Sequence, residues 1–221
     1  MPRKITATPR ANTNLSLLSG KSSVMSGVVK EMYPEATICS YSIRPNAFPY
    51  VQLEARPKET YSGGDTYEGC VNKKTGLKHG HGTYEWLSHD GKGARYVGDW
   101  VNDNMEGYGI YYYDNGDKYE GEWMKDNKHG LGVFTWANGD IYKGEYKVGN
   151  RSGKGKLSWN NGNSYEGYFY NDKRHGRGTF YWANGDKFEG IWQDDQKHGE
   201  GMYTWSNGKK EKQTWKYGKE V

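Results

Sequence analysis

An Asn-Gly pair stands at Asn115-Gly116, Asn138-Gly139, Asn161-Gly162, Asn184-Gly185 and Asn207-Gly208, and each step is 23 residues. Gly-x-Gly keeps that step from Gly107 through Gly130, Gly153 and Gly176 to Gly199. An aromatic residue opens each unit at Tyr96, Tyr119, Tyr142, Tyr165 and Phe188. An earlier unit opens at Tyr67 and is longer, with two extra residues around "KKTGLK" and four around "LSHDGKGA"; after Phe188 only half a unit follows, with Trp215 in step with Trp192. A unit of 23 residues cannot enclose a core of its own. It must be one supersecondary element stacked on its neighbours, so residues 67–221 read as an array of six units and a stub.

What the units bury follows from what they contain. Hydrophobic residues make up only 33% of the chain, while 20 Tyr, 9 Trp and 32 Gly are present, so aromatic rings must supply most of the buried area. Strand side chains alternate between faces. In "YEGEW", Tyr119, Gly121 and Trp123 share one face; in "GLGVFTW", Gly130, Gly132, Phe134 and Trp136 do. A hairpin with a four-residue loop at residues 125–128 sets Trp123 against Gly130, Gly121 against Gly132 and Tyr119 against Phe134. A three-residue loop, Ala137-Asn138-Gly139, then pairs Phe134 with Tyr142 and keeps the rings on the same face; a two-residue Asn-Gly turn would put Tyr142 on the wrong one. Gly121, Gly132, Gly144 and Gly155 thereby form a row without side chains, and beside it large and small alternate as Trp123, Gly130, Tyr146, Gly153, Phe169, Gly176. On this reading glycine makes room and tryptophan fills it, in an all-β, elongated, single-layer antiparallel sheet of tandem hairpins. Twelve strands at ~4.8 Å give a ribbon on the order of 60 Å.

Residues 1–66 do not repeat. The first 30 are basic (Arg3, Lys4, Arg10, Lys21, Lys30) with no acidic residue, and they read as disordered. "TICSYSIRPNAFPYVQLEARP" carries apolar anchors between prolines and reads as extended, lying against the repeats or a partner. The segment as a whole is expected to be mostly irregular, with "FPYVQLEA" covering the N-terminal edge of the array. The last strand, "KEKQTWKYGK", is expected to leave a lysine-rich edge open to a partner strand. Two cysteines, Cys39 and Cys70, suggest no disulfide framework and no zinc site, and fit a reducing cytosol. No signal peptide or membrane-spanning run is read.

The chemistry-bearing patterns are weak. Equivalent histidines of the column His79, His129, His175 and His198 lie two strands apart, ~10 Å, too far to share a zinc ion, so a loop-bracing hydrogen bond is expected of them. "GNRSGKGK" lacks the spacing of a phosphate loop. The nearly neutral repeats argue against nucleic acid and weaken the case for anionic lipid. No enzyme, cofactor or metal is implied.

The pattern in "YEGEWMKDNKHGLGVFTWANG" and "FEGIWQDDQKHGEGMYTWSNG" resembles the MORN repeat. Departures are Val71, Tyr146 and Phe169 at the first Trp position, Tyr113 at the second, and Glu106 and Ser152 where others have His. The resemblance implies a non-enzymatic scaffold, and it implies small free-standing arrays like those of radial spokes. From it follow the expectations of a cytoplasmic location in the axoneme of a cilium or flagellum, a larger axonemal complex as partner, and, as the alternative, a membrane- or cortex-tethering module that binds phospholipid. The residues expected to line a partner-binding groove are Trp100, Tyr113, Trp123, Trp136, Tyr146, Trp159, Phe169, Trp182, Trp192 and Trp205.

Overall fold

The computed structural model describes Cys39, residues 51–88 and residues 93–221. The expectations for residues 1–30 and, Cys39 apart, for residues 37–50 lie outside the described residues. The strands are β1 (Leu53–Thr60), β2 (Thr66–Asn72), β3 (Lys78–Glu85), β4 (Arg95–Val101), β5 (Asn104–Tyr112), β6 (Lys118–Met124), β7 (Asn127–Thr135) and β8 (Ile141–Lys147), continued by β9 (Asn150–Ser158), β10 (Ser164–Tyr170), β11 (Lys173–Tyr181), β12 (Lys187–Gln193), β13 (Gln196–Thr204), β14 (Lys210–Lys216) and β15 (Lys219–Glu220). They form one antiparallel sheet in chain order, as the period demands. The described residues contain no α-helix and no second sheet.

The loop between units is the expected one. Trp136 donates its N–H to Asp140 O and Gly139 donates to Trp136 O, both at 2.9 Å, and Phe134 pairs with Tyr142. The hairpin inside each unit differs. Its turn is two residues, Lys125-Asp126, both left-handed at φ +48° and +64°, the type I′ geometry whose twist matches that of the strands. The other two residues of the expected four-residue loop, Asn127 and Lys128, enter the ladder instead: Met124 pairs with Asn127, Trp123 with Lys128, and Glu122 in turn with His129. A bulge then restores the outer register, Gly121 against Gly132. Gly130 sits at this bulge with φ +58°, a conformation that glycine adopts without cost. Trp123 therefore does not face Gly130. The alternating row survives between units, where Gly107 pairs with Trp123, Gly130 with Tyr146 and Gly153 with Phe169.

The bare glycine row is present, but tyrosine fills it. Tyr67, Tyr96, Tyr119, Tyr142, Tyr165 and Phe188 are fully buried. A Cβ placed on Gly132 would lie 2.4 Å from the Tyr119 hydroxyl oxygen. That hydroxyl donates to Glu122 O at 2.9 Å, and Tyr96, Tyr142 and Tyr165 repeat the bond to the carbonyls of Asp99, Glu145 and Tyr168. The opening residue of each unit thus lies over two bare backbones, and every opening tyrosine ties itself to its own strand, while Phe188 covers Gly190 and Gly201 without that bond.

Both ends add to the sequence reading. β1 covers the N-terminal edge, with Leu53 against Asn72 and Ala55 against Cys70, so the sheet starts at Leu53, inside the extension expected to be mostly irregular. Pro57 falls where the register shifts between Arg56 and Glu59, a place where its missing N–H is tolerated. Cys39 forms a disulfide with the buried Cys70, against the expectation that the cysteines stay unpaired. That expectation argued from the number of cysteines and had no access to their separation in space. At the other end the stub is not one strand: a turn at Tyr217-Gly218 returns β15 onto Trp215 and Lys216, while among the described residues no strand lies outside residues 210–213 of β14.

Candidate partner-binding face

Two rows of rings run across the sheet on the tyrosine-covered face. In the inner row every contact is edge-to-face. Tyr119 meets Trp123 of its own strand at 5.1 Å and 89°, and Tyr146 two strands on at 5.2 Å and 84°. The chain of contacts runs unbroken from Tyr67 to Trp215 through every buried opening ring. The Trp100, Trp123 and Trp192 indoles also donate their ring N–H to Gly82 O, Gly109 O and Gly178 O at 3.2–3.3 Å. This row is the core of the array. The outer row is tilted and, apart from the buried Phe134, half-buried: Trp86 on Tyr111, Tyr111 on Tyr113, Tyr113 on Phe134, then Trp159 on Phe180, Trp182 on Tyr203 and Tyr203 on Trp205. It breaks once, between Trp136 and Trp159, where Leu157 takes the place of a ring.

The ten residues expected to line a groove divide between these rows. Trp100, Trp123, Tyr146, Phe169 and Trp192 are buried at 3–5% exposure and are committed to the core. Tyr113, Trp136, Trp159, Trp182 and Trp205 are half-buried and present ring surface to solvent. An accessible binding face is carried by this second set.

A third feature is absent from the sequence reading. One residue before the His/Glu/Ser-Gly of each unit stands a cation or Met105: Lys78, Lys128, Arg151, Arg174, Lys197. Their 23-residue step from Met105 onward was available as a signal. Each cation lies over rings: Lys78 Nζ 4.9 Å from the Trp100 centroid, Lys128 Nζ 4.8 Å from Phe134, Arg174 4.5 Å from Trp192, Lys197 Nζ 4.1 Å from Trp215. Three of them meet an aspartate from the next short turn: Lys78 with Asp103 at 3.4 Å, Arg151 with Asp172 at 3.1 Å, Arg174 with Asp195 at 2.9 Å.

Long loops are coupled in the same way. Asp117, Asp140 and Asp186 accept the N–H of Ala137, Asn160 and Ser206 from the following loop at 2.7–2.9 Å. The Tyr203 hydroxyl, and after it the Ser206 N–H, hold the Asp186 carboxyl below the usual range. The expected loop-bracing bond of the histidine column occurs at His198, whose Nδ1 accepts from Tyr217 N at 3.4 Å, and at the equivalent Glu106, which accepts from Lys125 N at 2.9 Å. His79, His129 and His175 keep a buried Nδ1 without a partner. Among the described residues no group of three or more His, Cys, Asp or Glu is placed to hold a metal ion.

A family model for the MORN repeat matches residues 74–90, 96–118, 119–141, 142–164, 165–187 and 188–210, more than half of the chain. No curated protein matches it. Among solved structures it is similar to the TCP10c domain of Drosophila melanogaster Sas-4, at 16% identity over 73% of this chain and 100% of that one, with a TM-score of 0.34. It is also similar to the Drosophila melanogaster SAS-4 (dCPAP) TCP domain in complex with a proline-rich motif of Ana2, at 16% identity over 78% and 97% of the two chains, with a TM-score of 0.36.

Proposed function

Because the chain belongs to the MORN-repeat family, we propose that it is a non-enzymatic scaffold whose ring face receives a segment of a partner protein. The observation that carries this reading is the outer row. Its five half-buried Trp and Tyr residues are not needed to cover glycines, and they lie side by side with a row of cations. Trp, Tyr and Arg are the residues in which interfaces concentrate binding energy. A cytoplasmic setting, in the axoneme of a cilium or flagellum, belongs to the same proposal. It is supported by the resemblance to radial-spoke arrays, and imaging of the tagged chain in ciliated cells tests it.

The face itself is tested by pull-down from such cells with the wild-type chain, Trp159→Ala and Leu131→Ala. Leu131 is 64% exposed on the opposite face. A partner held by wild type and by Leu131→Ala is expected to fall away from Trp159→Ala while the circular dichroism of all three stays the same. Equal capture by all three would remove the ring face from consideration.

A further inference from the structure

In the row of ring-stacked cations Lys128 and Lys197 lack the turn aspartate that Lys78, Arg151 and Arg174 have. The turn that supplies Asp103, Asp126, Asp172 and Asp195 to the other units reads Val148-Gly149 opposite Lys128. Those four aspartates each accept the backbone N–H of the residue at the cation position: Lys78, Met105, Arg151 and Arg174, at 2.7–3.0 Å. Gly149 cannot do so, and Lys128 forms no ion pair among the described residues. The charges that act on it are those of Asp172, already held by Arg151, of Arg151 itself and of Asp117. Burial against Tyr119, Phe134 and Tyr146 pushes the Lys128 ammonium below its ordinary range. Lys197 meets the same change at Gly218, but the charge of Glu220 acts on it. The unit beside Lys128 departs from the pattern elsewhere as well, with Tyr146 for Trp, Ser152 for His and Leu157 for a ring.

We propose that Lys128 is an anion-accepting anchor on the ring face, and that its occupant is an Asp or Glu carboxylate on an acidic segment of a partner protein. The inference rests on the reading of the ring face given above. A half-buried cation among rings, deprived of the carboxylate that the fold supplies to its equivalents, gains more from an incoming carboxylate than an exposed one does. A side chain fits this position better than a headgroup surface does. The strand ends on either side carry acids, Asp126 and Asp172 on the short turns and Asp117 and Asp140 on the long loops, and their charge disfavours a broad anionic surface. A narrow peptide passes between them.

The test uses the full chain and a random-sequence peptide library displayed on phage. Lys128→Met copies the Met105 unit, and Gly149→Asp copies the four units that carry aspartate there, at φ of +64° to +69°. Gly149→Asp fills the site from within and is expected to raise the melting temperature by roughly 2–4 °C. Peptides recovered on wild type are expected to be enriched in Asp and Glu over the unselected library. They should bind both variants, and Trp159→Ala, at least about tenfold more weakly. Peptides that bind Gly149→Asp and Lys128→Met as tightly as wild type, yet still lose affinity to Trp159→Ala, overturn the anchor and leave the ring face standing. Peptides indifferent to all three variants, or no recovered peptide, remove both. Phosphatidylserine vesicles that sediment wild type and not Lys128→Met, without acidic enrichment among the peptides, overturn the carboxylate in favour of a lipid phosphate.

Discussion

Gly132→Ala adds one methyl group and is expected to damage the array out of proportion to its size. The new Cβ would lie 2.4 Å from the Tyr119 hydroxyl oxygen and 2.5 Å from its Cε2. Tyr119 has no free volume to retreat into: it is fully buried, with Trp123 and Tyr146 set edge-to-face against it at 5.1 and 5.2 Å. Overpacking of this kind costs about 1–3 kcal/mol. Displacing the ring also breaks the hydroxyl's bond to Glu122 O and leaves a buried donor unsatisfied, about 1–3 kcal/mol more. The expected loss is thus roughly 2–6 kcal/mol, or about 5–20 °C in melting temperature for a chain of this size. Urea denaturation followed by tryptophan fluorescence measures it, with Val133→Thr as control, since Val133 pairs with Glu120 and Lys143 on the other face. A cycle with Tyr119→Leu should recover at least about 1 kcal/mol of the loss, because the obstructing ring is gone. Gly132→Ala melting within about 0.5 kcal/mol of wild type, or no better tolerated with Tyr119→Leu, would refute the claim that this ring lies over this glycine.

Burial pushes Tyr113 up to about 12, and Tyr96, Tyr119, Tyr142 and Tyr165 higher still. A raised folded value means stability that is full below the ordinary tyrosine range near pH 10 and lost as pH climbs through the folded values, so the buried phenolates should emerge in one steep step together with loss of circular dichroism. A gradual rise centred near pH 10, with the dichroism intact, would contradict it. Val148 stands at φ +48°, a left-handed position that Asn102 and Asn171 occupy in other units and that a branched side chain tolerates poorly. Val148→Asn should therefore stabilise the chain by about 1–2 kcal/mol in urea melts, and an unchanged or lower midpoint counts against that strain.

The period, the two faces, the bare glycine row and the three-residue loop were legible because strand parity fixes them once the 23-residue step is known. The short hairpin was not. A four-residue loop, and a two-residue turn plus a bulge, consume the same residues between Gly121 and Gly132 and leave the outer register identical. They differ in the sign of φ at Lys125, Asp126 and Gly130, which parity does not reveal. The choice of tyrosine over tryptophan as the ring above the glycines escaped for a related reason. Tyr119 and Trp123 share a face, and which one reaches across Gly132 depends on side-chain direction. The cation row stands in the sequence at the repeat period, but the aspartates of the short turns offset three of its five charges and leave the repeats near neutral. β1 carries no repeat and a proline, so only its apolar anchors pointed to it.

The energetics of the array are local. Each strand contacts its sequence neighbours, and each inner ring is held by one partner in its own unit and one in the next, so stability is close to a sum over adjacent units. Residues that obey the repeat are therefore occupied: Tyr142 covers Gly155, Trp192 bonds to Gly178 O, and Asp195 neutralises Arg174. A residue so engaged offers little to a partner, and an array of identical units would offer no position distinct from the next. Selectivity must then come from departures that free a group or open the outer row. Two such departures fall in one unit: Gly149 leaves Lys128 without its carboxylate, and Leu157 interrupts the ring row between Trp136 and Trp159. The same unit carries Val148 in a turn position that Asn or Asp fills at lower cost. It thus combines an unpaired cation, an interrupted ring row and a turn residue that adds nothing to folding, which is the combination that the proposed anchor requires.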